Sequence, residues 1–142
     1  MPRAIRTPQE ATVLIVEDDP SNMLVAQKLL QVAGVKPDHI YGAAGDPLPL
    51  LQGELQGRVD LVLLDLHLPG KDGYTILQEI RTDPLLADVI VVALTANVML
   101  PNVNHAQEAG FDGFISKPID GRRFADWIRR LLAGEAVWII EH

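Results

Sequence analysis

The sequence predicts an α/β fold, a doubly wound, five-stranded parallel sheet in the order 2-1-3-4-5. Three observations predict it. Leu61 to Leu64 and Val89 to Leu94 are unbroken apolar runs, the pattern of strands buried on both faces of a parallel sheet. Five strand-like stretches alternate with five helix-like ones, which places helices on both faces. Right-handed crossovers at this chain length then favour the doubly wound order. The 142 residues are one domain's worth, enough to bury a core without staples. A composition of 48% hydrophobic and 22% charged residues is ordinary for a globular protein.

Residues 1–11 carry prolines and no periodicity, and are expected as a flexible tail. Thr12 to Val16 is a β-branched run that stops at Glu17-Asp18-Asp19-Pro20, a strand followed by an acidic turn. Ser21 or Asn22 is placed to cap the first helix, whose apolar positions Leu24, Val25, Leu29, Val32 and Ala33 recur at helical spacing before Gly34. His39 to Ala43 is the weaker second strand. Asp46 and Pro47 then open a second helix, with Gly53 and Gly57 near its end. After the Leu61 to Leu64 strand, Pro69-Gly70 forces a turn and Asp72-Gly73 leads into a third helix, Tyr74 to Ile80. The Val89 to Leu94 strand gives way to Thr95-Ala96-Asn97. Pro101 to Ala109 is a fourth helix, Gly113 to Ser116 a fifth strand, and the last helix runs from Asp120. Its stripe of Phe124, Trp127, Ile128, Leu131 and Leu132 opposes four arginines.

A net charge of −7 argues against nucleic acid as a direct partner. With no cysteine, disulfides and thiolate chemistry are excluded. No apolar run approaches the roughly 20 residues of a membrane span, and the start lacks a signal-peptide core, so the expected setting is cytoplasmic.

Four strand ends carry polar groups: Glu17-Asp18, Asp65, Thr95 and Lys117. In the predicted order these four strands are neighbours, and open α/β sheets bind ligands at their carboxyl ends. Two carboxylates about 4 Å apart repel by about 4 kcal/mol at an effective dielectric near 20. A hard divalent cation relieves that repulsion, and Mg²⁺, which needs few carboxylates, suits it best. With a lysine and a hydroxyl beside them, the acids make a pocket for a phosphoryl group in transfer, with Asp65 as nucleophile.

These stretches resemble the receiver domain of two-component response regulators, the CheY-like family with its flavodoxin-like fold. The matching segments are Val13 to Asp19, Leu63 to Gly73, Val92 to Asn97 and Phe114 to Pro118, and the resemblance runs from about Thr12 to Ala133. It also extends to single-domain regulators of the DivK type. The resemblance implies phosphorylation of Asp65 from a phosphohistidine on a sensor histidine kinase or histidine phosphotransfer protein. It implies Mg²⁺ held by Glu17, Asp18, Asp65 and the His67 backbone carbonyl, with Lys117 on the phosphoryl oxygens across a cis bond to Pro118. Thr95 and Phe114 would be the switch pair that alters the surface of the fourth helix, fifth strand and fifth helix for a downstream protein target. The only enzymology implied is self-catalysed phosphorylation and dephosphorylation. Position 17 is Glu where the family often has Asp, and Phe114 lacks the hydroxyl of the frequent Tyr. His67 and Asn97, two residues beyond Asp65 and Thr95, stand where the family tunes the lifetime of the acyl phosphate.

Other readings are weaker. Asp19 and Asp72 read as cap or turn residues. A phosphatase of the haloacid dehalogenase type would want a second carboxylate at position 67, and an FMN carrier would be repelled by the acids at 17–19. A phosphate-independent interaction module requires an inert site. A receiver cut from a larger regulator is the nearest variant, while Met1 and the apolar ending favour a stand-alone chain. Residues 134–142 form an apolar extension outside the resemblance. Val137, Trp138, Ile139 and Ile140, with Trp127, are expected to pack on the domain's flank or, preferentially, to form a homodimer.

Overall fold

Strands β1 (Val13–Val16), β2 (Ile40–Ala43), β3 (Leu61–Asp65), β4 (Ile90–Thr95) and β5 (Gly113–Ser116) form the expected parallel sheet. The computed structural model describes residues 6–96 and 100–139. Helices α1 (Pro20–Ala33), α2 (Leu48–Gln52), α3 (Gly73–Thr82), α4 (Leu100–Ala109) and α5 (Phe124–Leu132) alternate with the strands. A sixth strand, β6 (Val137–Ile139), continues the pattern, so the order is β2-β1-β3-β4-β5-β6. The apolar extension, expected on a flank or a second copy, is therefore an edge strand of the chain's own sheet. A four-residue connection after α5 suffices, because α5 has already carried the chain back to the start of β5.

The sheet separates two cores, as doubly covered parallel sheets require. On one face Leu14, Val16, Val62, Leu64, Val91, Ala93 and Phe114 meet α2, α3 and α4. On the other, Val13, Ile15, Leu61, Leu63, Val92 and Ile115 meet α1 and α5. Trp127 is 2% exposed within that second core, and Val137 lies there too. The association surface expected around them is thus already buried by the fold, and Trp138 is half-buried against the first core. Ile140 and the side chain of Ile139 lie outside the described residues, as does Asn97.

Helix α1 turns a different face inward than its periodicity suggested. Ala26 and Leu30 are buried, with Met23, Leu29 and Ala33 beside them, whereas Leu24, Val25 and Val32 are 52%, 51% and 76% exposed. Apolar residues surround most of this helix, so spacing alone does not set its phase. Its cap is Asp19, which accepts from the Ser21 and Asn22 N–H groups, with Pro20 in the first turn where no N–H is needed. Asp72 likewise caps α3 through the Thr75 N–H. Both aspartates are structural, as their positions implied.

The tail is not loose over its described part. The Thr12 N–H and the Arg6 side chain both reach Asp60, the Arg6 N–H reaches the Leu132 carbonyl, and Ala11 is buried. Arg81 closes the same end of the sheet by donating to the carbonyls of Ala87, Val89 and Gly110 and to the Asp112 carboxylate. With that end tied down, the carboxyl ends of the strands are left for chemistry.

Two substitutions check the packing. Phe124→Ala removes a fully buried ring and should cost about 3–5 kcal/mol by chemical denaturation. Val32→Ser, on the exposed side of α1, should shift stability by less than about 0.5 kcal/mol. A large loss at Val32 would mean that α1 is rotated from the orientation described.

Candidate phosphoacceptor site

Asp65 is the last residue of β3 and Thr95 the last of β4, while Glu17 and Lys117 immediately follow β1 and β5. Parallel pairing brings these ends level: Val16 lies opposite Leu64, Asp65 opposite Leu94, and Thr95 opposite Ser116. Glu17, Asp18 and Asp65 each present a carboxylate oxygen, and these atoms lie within 4.8 Å of one another. Glu17 and Asp65 are buried, and Asp18 stands at the exposed rim.

The turn after β3 is shaped by two glycines. Gly70 adopts φ +85°, a left-handed conformation that β-carbon sterics disfavour in other residues. At Gly73 an added Cβ would stand 3.1 Å from the Leu66 Cα and 2.7 Å from its side chain, so only glycine lets α3 start this close to the loop. The close approach keeps Leu66 and His67 folded back over Asp65. The His67 N–H donates to Asp65 Oδ1 at 2.9 Å, and Asp19 donates its N–H to Glu17 Oε2 at 3.2 Å.

Lys117 reaches across the sheet to hold the two buried acids. Its Nζ donates to Glu17 Oε1 at 2.6 Å and to Asp65 Oδ2 at 3.1 Å. The peptide from Lys117 to Pro118 is cis, as the resemblance implied. Burial works to raise the Asp65 carboxyl, but the His67 N–H and the Lys117 ammonium outweigh it and hold Asp65 below the usual aspartate range. Burial pushes Glu17 the other way, above the usual glutamate range, and its bonds to Lys117 and the Asp19 N–H offset this only in part. Burial by itself would lower Lys117, yet its bonds to Glu17 and Asp65 keep it above the ordinary lysine value. At neutral pH the pocket therefore joins an ionised Asp65 to a charged lysine.

Thr95 is 1% exposed. Its Oγ1 lies 3.0 Å from Nε2 of His67, an imidazole contact that sequence reasoning missed. No sequence signal marks it, because the contact follows from how the turn folds over the strand ends. His67 thus touches Asp65 through its main chain and Thr95 through its ring. Phe114 is fully buried in the core beneath the site, on β5 beside β4. The sequence placed Glu17, Asp18, Asp65, Thr95 and Lys117 in one crevice, and the structure brings all five together. His39 and His105 stand apart from it, His105 stacking on Tyr74 at 4.3 Å.

The donor set fits a hard cation. It offers only oxygens, three of them carboxylate, and two of those are buried against a single ammonium. Fold and site together define a doubly wound α/β protein with an acidic pocket, beside a lysine and a hydroxyl, at the strand ends. The family model of the response regulator receiver domain matches residues 13–129, and the chain belongs to that family.

The matching relatives share its sequence at moderate level. The polar-differentiation response regulator DivK of Brucella anthropi is 30% identical over 121 residues, covering 85% of this chain and 95% of its own. The DNA-binding dual master transcriptional regulator RpaA of Synechocystis is 32% identical, covering 84% of this chain but 48% of its own length. Hybrid signal transduction histidine kinase L of Dictyostelium discoideum is 31% identical over 83% of this chain, which spans 7% of that kinase. Among solved structures, a response regulator from Chloroflexus aurantiacus superposes with a TM-score of 0.75 at 28% identity, covering 87% of this chain and 98% of its own. The receiver domain of the sensor histidine kinase PA1611 from Pseudomonas aeruginosa, solved with a magnesium ion coordinated in its active-site cleft, gives 0.72 at 29% identity, covering 88% and 98%. Among the described residues no helix is long and apolar enough to cross a membrane.

The upward shift of Glu17 has a measurable consequence. A cation binds the ionised carboxylates, so a glutamate that holds its proton to higher pH must release it first. Mg²⁺ affinity, followed by calorimetry, should therefore begin to weaken while the pH is still above the usual glutamate range, and Glu17→Gln should flatten that dependence. An affinity constant with pH until that range is reached would contradict the shift.

Proposed function

We propose that this chain is a phosphoacceptor signalling module that takes a phosphoryl group on Asp65 from a phosphohistidine of a sensor histidine kinase or a histidine phosphotransfer protein. The observation that carries the reading is the bridge from Lys117 Nζ to both Glu17 and Asp65 at the mouth of an all-oxygen cation site. An ionised, buried Asp65 is a competent nucleophile, and its Oδ would form the new O–P bond as the donor's P–N bond breaks. The electron pair of that bond returns to the donor imidazole, so Asp65 needs no general base.

Glu17, Asp18, Asp65 and the His67 carbonyl would hold Mg²⁺, a role supported by the three clustered carboxylates and by the magnesium in the PA1611 receiver. The ion supplies charge neutralisation at the phosphoryl oxygens. Lys117 contributes the second positive charge and keeps Asp65 ionised between transfers. Glu17, one methylene longer than Asp, is already occupied with Lys117, so binding the cation entails repartitioning that lysine toward the incoming phosphoryl oxygens.

Thr95 would then turn its hydroxyl toward the phosphoryl group, giving up the His67 ring. Phe114 would respond sterically, since it has no hydroxyl to exchange. The net effect is a local change of charge that biases a two-state surface made by α4, β5 and α5, presented to a downstream protein. A cytoplasmic setting belongs to the same reading, as does chemistry limited to self-phosphorylation and hydrolysis.

Incubation with Mg²⁺ and acetyl phosphate, followed by intact mass, should show a gain of one phosphoryl group. The gain should vanish with a chelator and in Asp65→Asn. Persistence of the adduct in Asp65→Asn would move the acceptor elsewhere, and no adduct on the parent chain would end the reading.

A further inference from the structure

We infer that β6 is a displaceable cover on the edge of β5, and that phosphorylation of Asp65 loosens it. The inference rests on the phosphoacceptor reading and adds to it an output element. In the sheet order β5 has two lateral neighbours, β4 and β6. Through β4 it is tied to the site: Thr95 lies opposite Ser116, and the Lys117 N–H donates to the Thr95 carbonyl at 2.9 Å. Through β6 it is tied, among the described residues, by three residue pairs, Gly113 with Val137, Phe114 with Trp138, and Ile115 with Ile139. A shift of β5 prompted at Lys117 or Thr95 must therefore be absorbed by one neighbour or the other. β4 is held by β3 on its far side, whereas β6 is at the edge of the described sheet, so β6 is the one that yields.

Phe114 makes the coupling specific. In a parallel pair, residues in register point to the same side, so the Phe114 ring sits on the sheet between Ala93 and Trp138. All three belong to the core under α4. The ring is fully buried, so a change of its rotamer needs space that a neighbour must vacate. Ala93 is on a central strand and has almost nothing to move. Trp138 is half-buried on an edge strand and can swing out.

The fit of β6 is built into β5 from the other end as well. An added Cβ at Gly113 would lie 2.8 Å from the Val137 carbonyl oxygen, so a glycine there is what admits the sixth strand. The connection back to α5 is held by the Glu135 N–H on the Arg130 carbonyl and by the 3.3 Å ion pair of Arg130 with Glu135, whose side chains are 42% and 58% exposed, and the buried Val137 anchors the start of β6 with its N–H on the Asp112 carbonyl. An ion pair so exposed contributes little, so beyond Val137 the strand is held chiefly by its pairing with β5 and by the half-buried Trp138. Release would uncover the β5 edge and Phe114 together, between α4 and α5.

Hydrogen exchange of the full chain, read by mass spectrometry over residues 134–142, tests this with beryllofluoride and Mg²⁺ as the phosphoryl mimic. The Val137 N–H donates to the Asp112 carbonyl, so two residues on the Ile139 N–H also faces β5, and its exchange should accelerate by about fivefold or more on loading, and not in Asp65→Asn. By linkage, Trp138→Ala and a chain ending at Ala136 should each bind beryllofluoride with Mg²⁺ more tightly by a similar factor. Loaded protein with unchanged or slower exchange at Ile139 overturns the inference and leaves the acceptor reading intact. Beryllofluoride binding no tighter in either variant also overturns it. Absence of any phosphoryl adduct on Asp65 removes both.

Discussion

Two carboxylates in the interior of a protein need a counter-charge, and in this chain one ammonium supplies it for both. Lys117 bonds Glu17 and Asp65 from the opposite end of the sequence, joining the turn after β1 to the end of β3 by way of β5. Without it the two acids would face each other at low dielectric, and one would have to take up a proton. Asp65 is thereby kept ionised while Glu17 carries the strain of burial. Two buried carboxylates sharing one lysine leave the pocket with excess negative charge, which the Mg²⁺ proposed for it would offset.

The sheet turns this local electrostatic problem into a mechanical one. All the groups that would meet a phosphoryl oxygen sit at the ends of hydrogen-bonded strands or in the turns just beyond them, so none can move far alone. Central strands are fixed by cores on both faces. Freedom is left at the margins: the His67 ring on Thr95 above, and β6 at the sheet's edge. Motion at the site is expected to surface at these two places, and both adjoin β4 or β5.

The parts of the fold that were legible in the sequence are those where burial is nearly complete. Leu61 to Leu64 and Ile90 to Leu94 are buried at every position, and only a strand covered on both faces gives so unbroken a run. The site was legible because four polar residues stood at the ends of four such runs, and register then had to align them. The phase of α1 was not legible. Its apolar residues encircle the helix, and Ala26 is a small residue that periodicity undervalues though it permits close packing. Strand β6 was missed because three residues carry no period, and an apolar triplet is equally consistent with a sticky surface. Trp127 counted both as a helix-stripe residue and as an interface residue, and its burial in the core decides for the former. The contact of His67 with Thr95 depends on a turn whose course no local rule specifies.

Folding gathers the carboxylates of Glu17, Asp18 and Asp65 beside Lys117, and the proposed function requires that one cation sit among them. Titration with Mn²⁺ in place of Mg²⁺, observed as paramagnetic broadening of backbone amide resonances, tests it most directly. Broadening should begin together at residues 17–19, 65–67, 95 and 117 and saturate at one ion per chain. Broadening that instead spreads over exposed acids such as Asp38, Glu54 and Asp120, with no preference for the strand ends, would contradict it.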